Sequence, residues 1–157
     1  MLTRNFMQML GNGNGMSVNN VPSPCIKTNG EESGVNVLLG SGTNVPFGSS
    51  MWGKSKFILG TGTTKEKSTD YKLESAITEN YDCSTLTKRY IQGGERDYIN
   101  IFGTITNTGN AAFTFSEIGW VAYVSSTDNE FLFAHEVLDE PITIKPGESA
   151  AVNVNLM

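Results

Sequence analysis

The sequence predicts an all-β fold, an antiparallel sandwich or barrel, on three observations. The first is composition. The chain has 157 residues, of which 38% are hydrophobic and 17% charged. Both fractions fall below ordinary globular usage, and Gly, Asn, Ser and Thr fill the difference. Thr and aromatic residues suit pleated strands, and Gly and Asn suit the turns between them. The second is alternation: in the second half of the chain apolar residues recur with a period of two. The third is spacing, because turn-forming clusters separate these runs at roughly even intervals. That arrangement belongs to sandwiches and barrels, not to βαβ units.

Residues 2–10 (LTRNFMQML) form the one helix-like segment. Leu2, Phe6, Met9 and Leu10 fall on one side at helical spacing, and Thr3 is placed to cap the start. GNGNG at 11–15 ends the segment. A helix of about ten residues is marginal alone in water, so it requires a surface to pack on. Residues 11–34, with Pro22 and Pro24, read as an extended Gly/Asn-rich arm. The division is therefore a short N-terminal helix and arm over 1–34, acting as an assembly anchor, and a β-sandwich domain over 35–157. Leu2, Phe6, Met9 and Leu10 are the candidate partner contacts, joined by Trp52 in its loop.

Val35–Leu39 and Lys56–Leu59 are short strand-like runs on either side of a turn-rich stretch. Residues 60–83 are polar and loop-like, with one turn of helix expected in DYKLES (70–75). From residue 84 the β pattern is strong. Thr85–Ile91 is expected to pair with Tyr98–Thr106. Phe113 and Phe115 share a side of the next run. Ile118, Trp120, Ala122 and Val124 alternate with Gly119, Val121 and Tyr123. Phe131, Phe133 and Val137 alternate with Leu132, Ala134 and Leu138. Pro141–Ile144 and Ala151–Leu156 flank KPGES, where Pro146-Gly147 fits the centre of a type II turn. That makes about seven short strands between 84 and 156.

The formal net charge is −5. An acidic chain gains nothing from neutralising phosphates, so nucleic acid and anionic membrane surfaces are disfavoured partners. No apolar run approaches the ~20 residues of a membrane span. The start, MLTRNFMQML, is too short in apolar stretch for a signal peptide, and synthesis and folding in a cytoplasm are expected. Cys25 and Cys83 lack CxxC spacing and read as two free, partly buried thiols.

Candidate chemistry is sparse. Gly48–Ser55 (GSSMWGKS) matches the phosphate-loop pattern GxxxxGK[ST], which needs a buried strand before it and a helix after it. Pro46 precedes it and the strand-like KFIL follows, so the context is wrong. GNGNG, GSG (40–42) and GTG (60–62) lack dinucleotide-binding spacing. His135 is the single histidine. In an alternating run it faces away from Glu136, and a Cys83–His135 nucleophile pair would also need an orienting group and an oxyanion hole. One His and two distant Cys do not make a zinc site. Asp128, Glu130, Asp139 and Glu140 sit in turns as solvated charge, without EF-hand spacing. Trp120 reads as core.

Three stretches carry a resemblance: MLTRNF; GTGTTKEKSTDYKLES (60–75); and ITNTGNAAFTFSEIGWVAYVSS…FLFAHEVLDEPITIKPGESAAVNVNL. They resemble a group of small bacteriophage virion proteins, in which a "GTGTT…DY.LE" element precedes a sandwich bearing "ITNTG…EIGL" and "LLAR.VLD.PVTL.PGES". The likeness covers residues 55–157 and the first six. Trp120 departs from a smaller aliphatic residue and His135 from a basic one. The resemblance implies an immunoglobulin-like β-sandwich and a non-enzymatic structural role in the virion, preferably capsid decoration or an auxiliary head protein. It implies no cofactor and no metal. The implied partners are other phage structural proteins (major capsid, tail or portal proteins) and further copies of the chain as a homo-oligomer. The alternative is a tail, fibre or collar component whose loops bind a host-surface glycan or protein. Under the structural reading, deleting residues 1–15 should leave the domain folded and abolish incorporation into particles.

Overall fold

The computed structural model describes residues 1–7, 25–33, 55–92, 98–123 and 130–156. It is built of antiparallel strands with almost no helix: β1 (Cys25–Ile26), β2 (Glu32–Ser33), β3 (Ser55–Gly60), β4 (Ala76–Ile77), β5 (Tyr81–Cys83), β6 (Thr87–Ile91), β7 (Tyr98–Asn107), β8 (Phe113–Tyr123), β9 (Glu130–Ile144) and β10 (Ser149–Leu156). One sheet runs β4-β3-β8-β9. The other runs β10-β7-β5, with β6 also on β7. Both β5 and β6 lie on the side of β7 opposite β10, so they are one edge strand interrupted at residues 84–86.

The sheets enclose one hydrophobic core. Phe57 and Leu59 of β3, Phe115, Ile118 and Trp120 of β8, and Phe131 and Phe133 of β9 meet Ile101 and Ile105 of β7 and Val152 and Val154 of β10. Strict alternation explains β7 and β10. Ile101, Gly103, Ile105 and Asn107 turn inward, as do Val152, Val154 and Leu156, while their neighbours face out. The turn before β10 is as expected. Gly147 has φ +74°, and the Glu148 N–H donates to the Lys145 carbonyl at 3.0 Å. A positive φ at that position is what selects glycine.

The expected seven strands between 84 and 156 are five longer ones among the described residues. The Phe113–Phe115 and Glu117–Val124 runs are joined in β8 through a register shift between Phe115 and Glu117. A bulge inserts a residue and flips the side-chain phase, so core positions pass from odd (113, 115) to even (118, 120, 122) without a break in the strand. Opposite that point β9 carries residues 138–141 unpaired between Val137 and Ile142, which joins the two runs read as separate strands. The helical turn expected in DYKLES does not form. The backbone N–H groups of Glu74 and Ser75 are instead directed at the Glu117 side chain.

The first residues fold onto the same body. Leu2 bridges to Ala134, and the Thr3 N–H donates to the Phe133 carbonyl at 2.9 Å, as the His135 N–H does to Met1. This adds a short pairing to the outer edge of β9. Residues 4–7 make one turn of helix. The Thr3 hydroxyl donates to the Leu132 carbonyl. Part of the expected arm is docked as well. β1 and β2 form a small hairpin, Cys25 is fully buried, and the Asn5 side chain accepts from Ile26 N–H at 2.9 Å and donates to the Ile26 carbonyl at 2.7 Å.

Candidate functional site

The concentration of buried polar groups lies on the outer face of β8 and β9, beneath the loop of residues 61–75. The bulge at Ser116 is what places it there. It turns Glu117, Gly119 and Val121 away from the main core, where a bare sheet would meet water. The loop covers this face. Leu73 packs on Val121, Leu132 and Ile58 as a second, smaller apolar cluster.

Glu117 is fully buried. Its carboxylate accepts from three backbone N–H groups of the loop: Glu74 at 2.7 Å, Gly62 at 3.2 Å and Ser75 at 3.4 Å. A β-carbon at Gly60 or Gly62 would come within 2.2 or 2.8 Å of the Glu117 carboxylate. The glycines therefore let the backbone close over the charge. Nearby, the Ser116 hydroxyl donates to the Gly62 carbonyl at 2.9 Å.

His135 sits against this carboxylate, 3% exposed. Its Nδ1 is 2.7 Å from Asp70 Oδ2, and its Nε2 is 2.8 Å from Glu117 Oε1. The second contact is off the line that a good hydrogen bond requires, since Nε2 meets no acceptor within hydrogen-bond geometry. Asp70 also accepts from the Lys67 N–H at 2.7 Å. At the loop's far end, Glu74 accepts from the N–H groups of Thr63 and Thr64 and from the Thr64 hydroxyl. The Thr64 bonds hold its carboxyl below the usual glutamate range.

A carboxylate-oriented imidazole is one half of a nucleophile–base constellation. Here both ring nitrogens face carboxylates, so neither is turned to a hydroxyl or thiol. Cys83 is elsewhere: its sulfur accepts from the Phe57 N–H at 3.4 Å. An open cleft of about 390 Å³ borders the joint, lined in part by Lys65, Lys67, Lys72, Tyr71, Asp70 and His135. Among the described residues no group of three or more His, Cys, Asp or Glu is placed to hold a metal ion. Among the same residues no helix is long and apolar enough to cross a membrane. Ser55 opens strand β3, where a phosphate loop would open a helix; Gly48–Lys54 lie outside the described residues.

The sequence-expected contact residues divide. Phe6 is 7% exposed, with its ring 6.0 Å from that of Trp120 and 5.7 Å from that of Phe133. It fills the chain's own core. Leu2 is half-buried beside it. Met9, Leu10 and Trp52 lie outside the described residues. Sequence reasoning missed Glu117 altogether. The signal available was the odd-to-even switch around it, which marks a bulge and turns the residue off the solvent-or-core alternation.

Cys25 and Cys83 are free thiols. Burial pushes the Cys25 thiol from 9.0 up to about 11. Since the unfolded thiol ionises first, stability from this group is complete below pH 9.0 and declines as pH rises towards about 11. Native protein at pH 8 should therefore take iodoacetamide at half-buried Cys83 well before Cys25, read by peptide mass spectrometry. Equal labelling rates would show that Cys25 is not enclosed.

Comparison with protein-family models, with curated proteins and with solved structures finds no match.

Proposed function

We propose that this chain is a non-enzymatic structural component of a bacteriophage virion, with an immunoglobulin-like β-sandwich as its body and a head-decoration or auxiliary role. One observation carries the reading. The residues by which the chain resembles small virion proteins meet in buried structural joints. Gly60 and Gly62 of GTGTT, Asp70 and Glu74 of DYKLES, Glu117 of SEIG and His135 of AHEV make one joint. Asn107 of ITNTG makes another: it is 1% exposed, and its side chain holds the Ala111 and Ile144 carbonyls and the Gly109 N–H. Motif residues engaged with one another suit a scaffold whose task is shape, and His135 takes the position of a basic residue by pairing with acids.

The surface for neighbouring capsid, tail or portal subunits then falls to side chains left outside the core. On the first segment these are Arg4, which is exposed, and Met1 and Met7, 52% and 57% exposed. Met9, Leu10 and Trp52 remain part of the proposal. The test is quantitative mass spectrometry of purified particles. Hundreds of copies per particle fit a head component, a dozen or fewer a tail or fibre, and absence overturns the reading. The cleft beside Tyr71 favours a second reading, a host-surface binding module, because an aromatic ring amid polar side chains suits a sugar. Glycan-array binding that Tyr71→Ala removes would favour it.

A further inference from the structure

Every open sheet presents edges whose N–H and C=O groups can pair with another chain, and proteins blunt them with charge, proline, bulges, short strands or a covering segment. Three of the edges described here are treated this way. β4 has two residues. The β5–β6 edge is interrupted at 84–86 and carries Lys88 and Arg89. The outer edge of β9 is covered by Met1–Thr3 and then thrown outward with Asp139, Glu140 and Pro141.

Among the described residues β10 has none of these devices. Its eight residues, SAAVNVNL, contain no charge, no proline and no glycine, and all eight pair with β7 in unbroken register. Among the described residues nothing pairs with its other side. The Asn107 N–H donates to the Glu148 carbonyl at 3.0 Å. Carrying antiparallel alternation on from that pair directs the N–H and C=O of Ser149, Ala151, Asn153 and Asn155 to the open edge.

We propose that β10 is an assembly edge, pairing antiparallel with β10 of a second copy of this chain about a two-fold axis at Val152. The two β10–β7 sheets become one. The strand is self-complementary in this register. Ser149 faces Asn155 of the partner subunit, Ala151 faces Asn153 of the partner subunit, and Val152 lies on the axis. About eight backbone hydrogen bonds form, and no like charges are opposed. Neutrality favours this occupant: a charged strand would gain no opposite charge here, whereas β10 itself brings none to be stranded. The outer face supplies continuity, because Asn100 already donates to Asn155 at 2.8 Å and Asn153 at 3.4 Å. The join extends that amide row across the axis. An eight-residue edge buries less than a standard interface of about 1,200 Å², so the isolated dimer should be weak, with a Kd on the order of 10–100 μM.

The experiment is sedimentation equilibrium of the full chain up to about 1 mM, well above that Kd. The expected result is a monomer–dimer equilibrium. Ala151→Pro removes an edge-facing donor without touching the β7 ladder and should abolish the dimer. Ala151→Lys tests the same edge without backbone change. It sets two ammonium groups on diagonal neighbours across the axis, with β-carbons about 7–8 Å apart, and should weaken association at least tenfold at low salt. Unchanged far-UV circular dichroism would certify the fold of each variant. A monomer throughout the concentration range overturns the proposal. So does a Kd for folded Ala151→Lys that stays within about threefold of wild type at low salt. Neither result depends on whether the chain belongs to a virion.

Discussion

Replacing Glu117 with alanine is expected to lower the free energy of unfolding by about 3–5 kcal/mol, because three loop N–H groups lose a buried acceptor at roughly 1–3 kcal/mol each. The loss has three sources. The N–H groups of Gly62, Glu74 and Ser75 lose their acceptor. His135 keeps Asp70 but loses the carboxylate beside Nε2. The loop that covers Val121 and Leu132 loses its fastening. For a chain of this size each kcal/mol moves the melting temperature by about 2–4 °C, so a fall of roughly 6–20 °C should appear by calorimetry. Glu117→Gln keeps one acceptor oxygen but turns an amide donor towards other donors, so it should fall between wild type and alanine. A melting temperature within about 2 °C of wild type for the alanine variant would show that the joint contributes little.

Phe6→Ala should cost about 3 kcal/mol, at the low end of the range for a buried Phe. The ring packs on Trp120 and Phe133, which are themselves in edge contact at 5.2 Å. Its loss opens a cavity that Trp120, held between two sheets, cannot collapse into. A urea melt should show a lower midpoint at an unchanged slope. An unchanged midpoint would mean that Phe6 does not sit in this core. The same packing alters the meaning of a deletion. Removing residues 1–15 strips Phe6, Thr3 and the edge pairing at Leu2 together, so failed incorporation into particles would report a damaged domain as readily as a lost anchor. Met7→Glu, on an exposed side chain, separates the two.

The strands that alternate strictly were legible from the sequence. β7, β10 and the Pro146-Gly147 turn follow from local pattern alone. β8 and β9 were cut into pieces because a bulge breaks the period-two rule within a continuous strand. The first segment was half legible: helical spacing placed Leu2 and Phe6 on one side, but not the surface that side would meet. The joint was not legible. Glu117, Gly62, Asp70 and His135 come from three separate stretches of chain, and only the bulge and the loop crossing bring them together.

The pairing of Met1–Thr3 with β9 has a kinetic side. Those residues are made before β9, yet their docking groove contains Leu132, Phe133 and Ala134, so the contact spans about 130 residues of chain. At ordinary synthesis rates of about 5–20 residues per second, Phe6 waits roughly 6–25 seconds before its site exists. Contacts of such long sequence separation close slowly even in refolding. The first residues should therefore be among the last to lock. Until they do, the groove between Trp120 and Phe133 stays open to the same segment of a neighbouring chain.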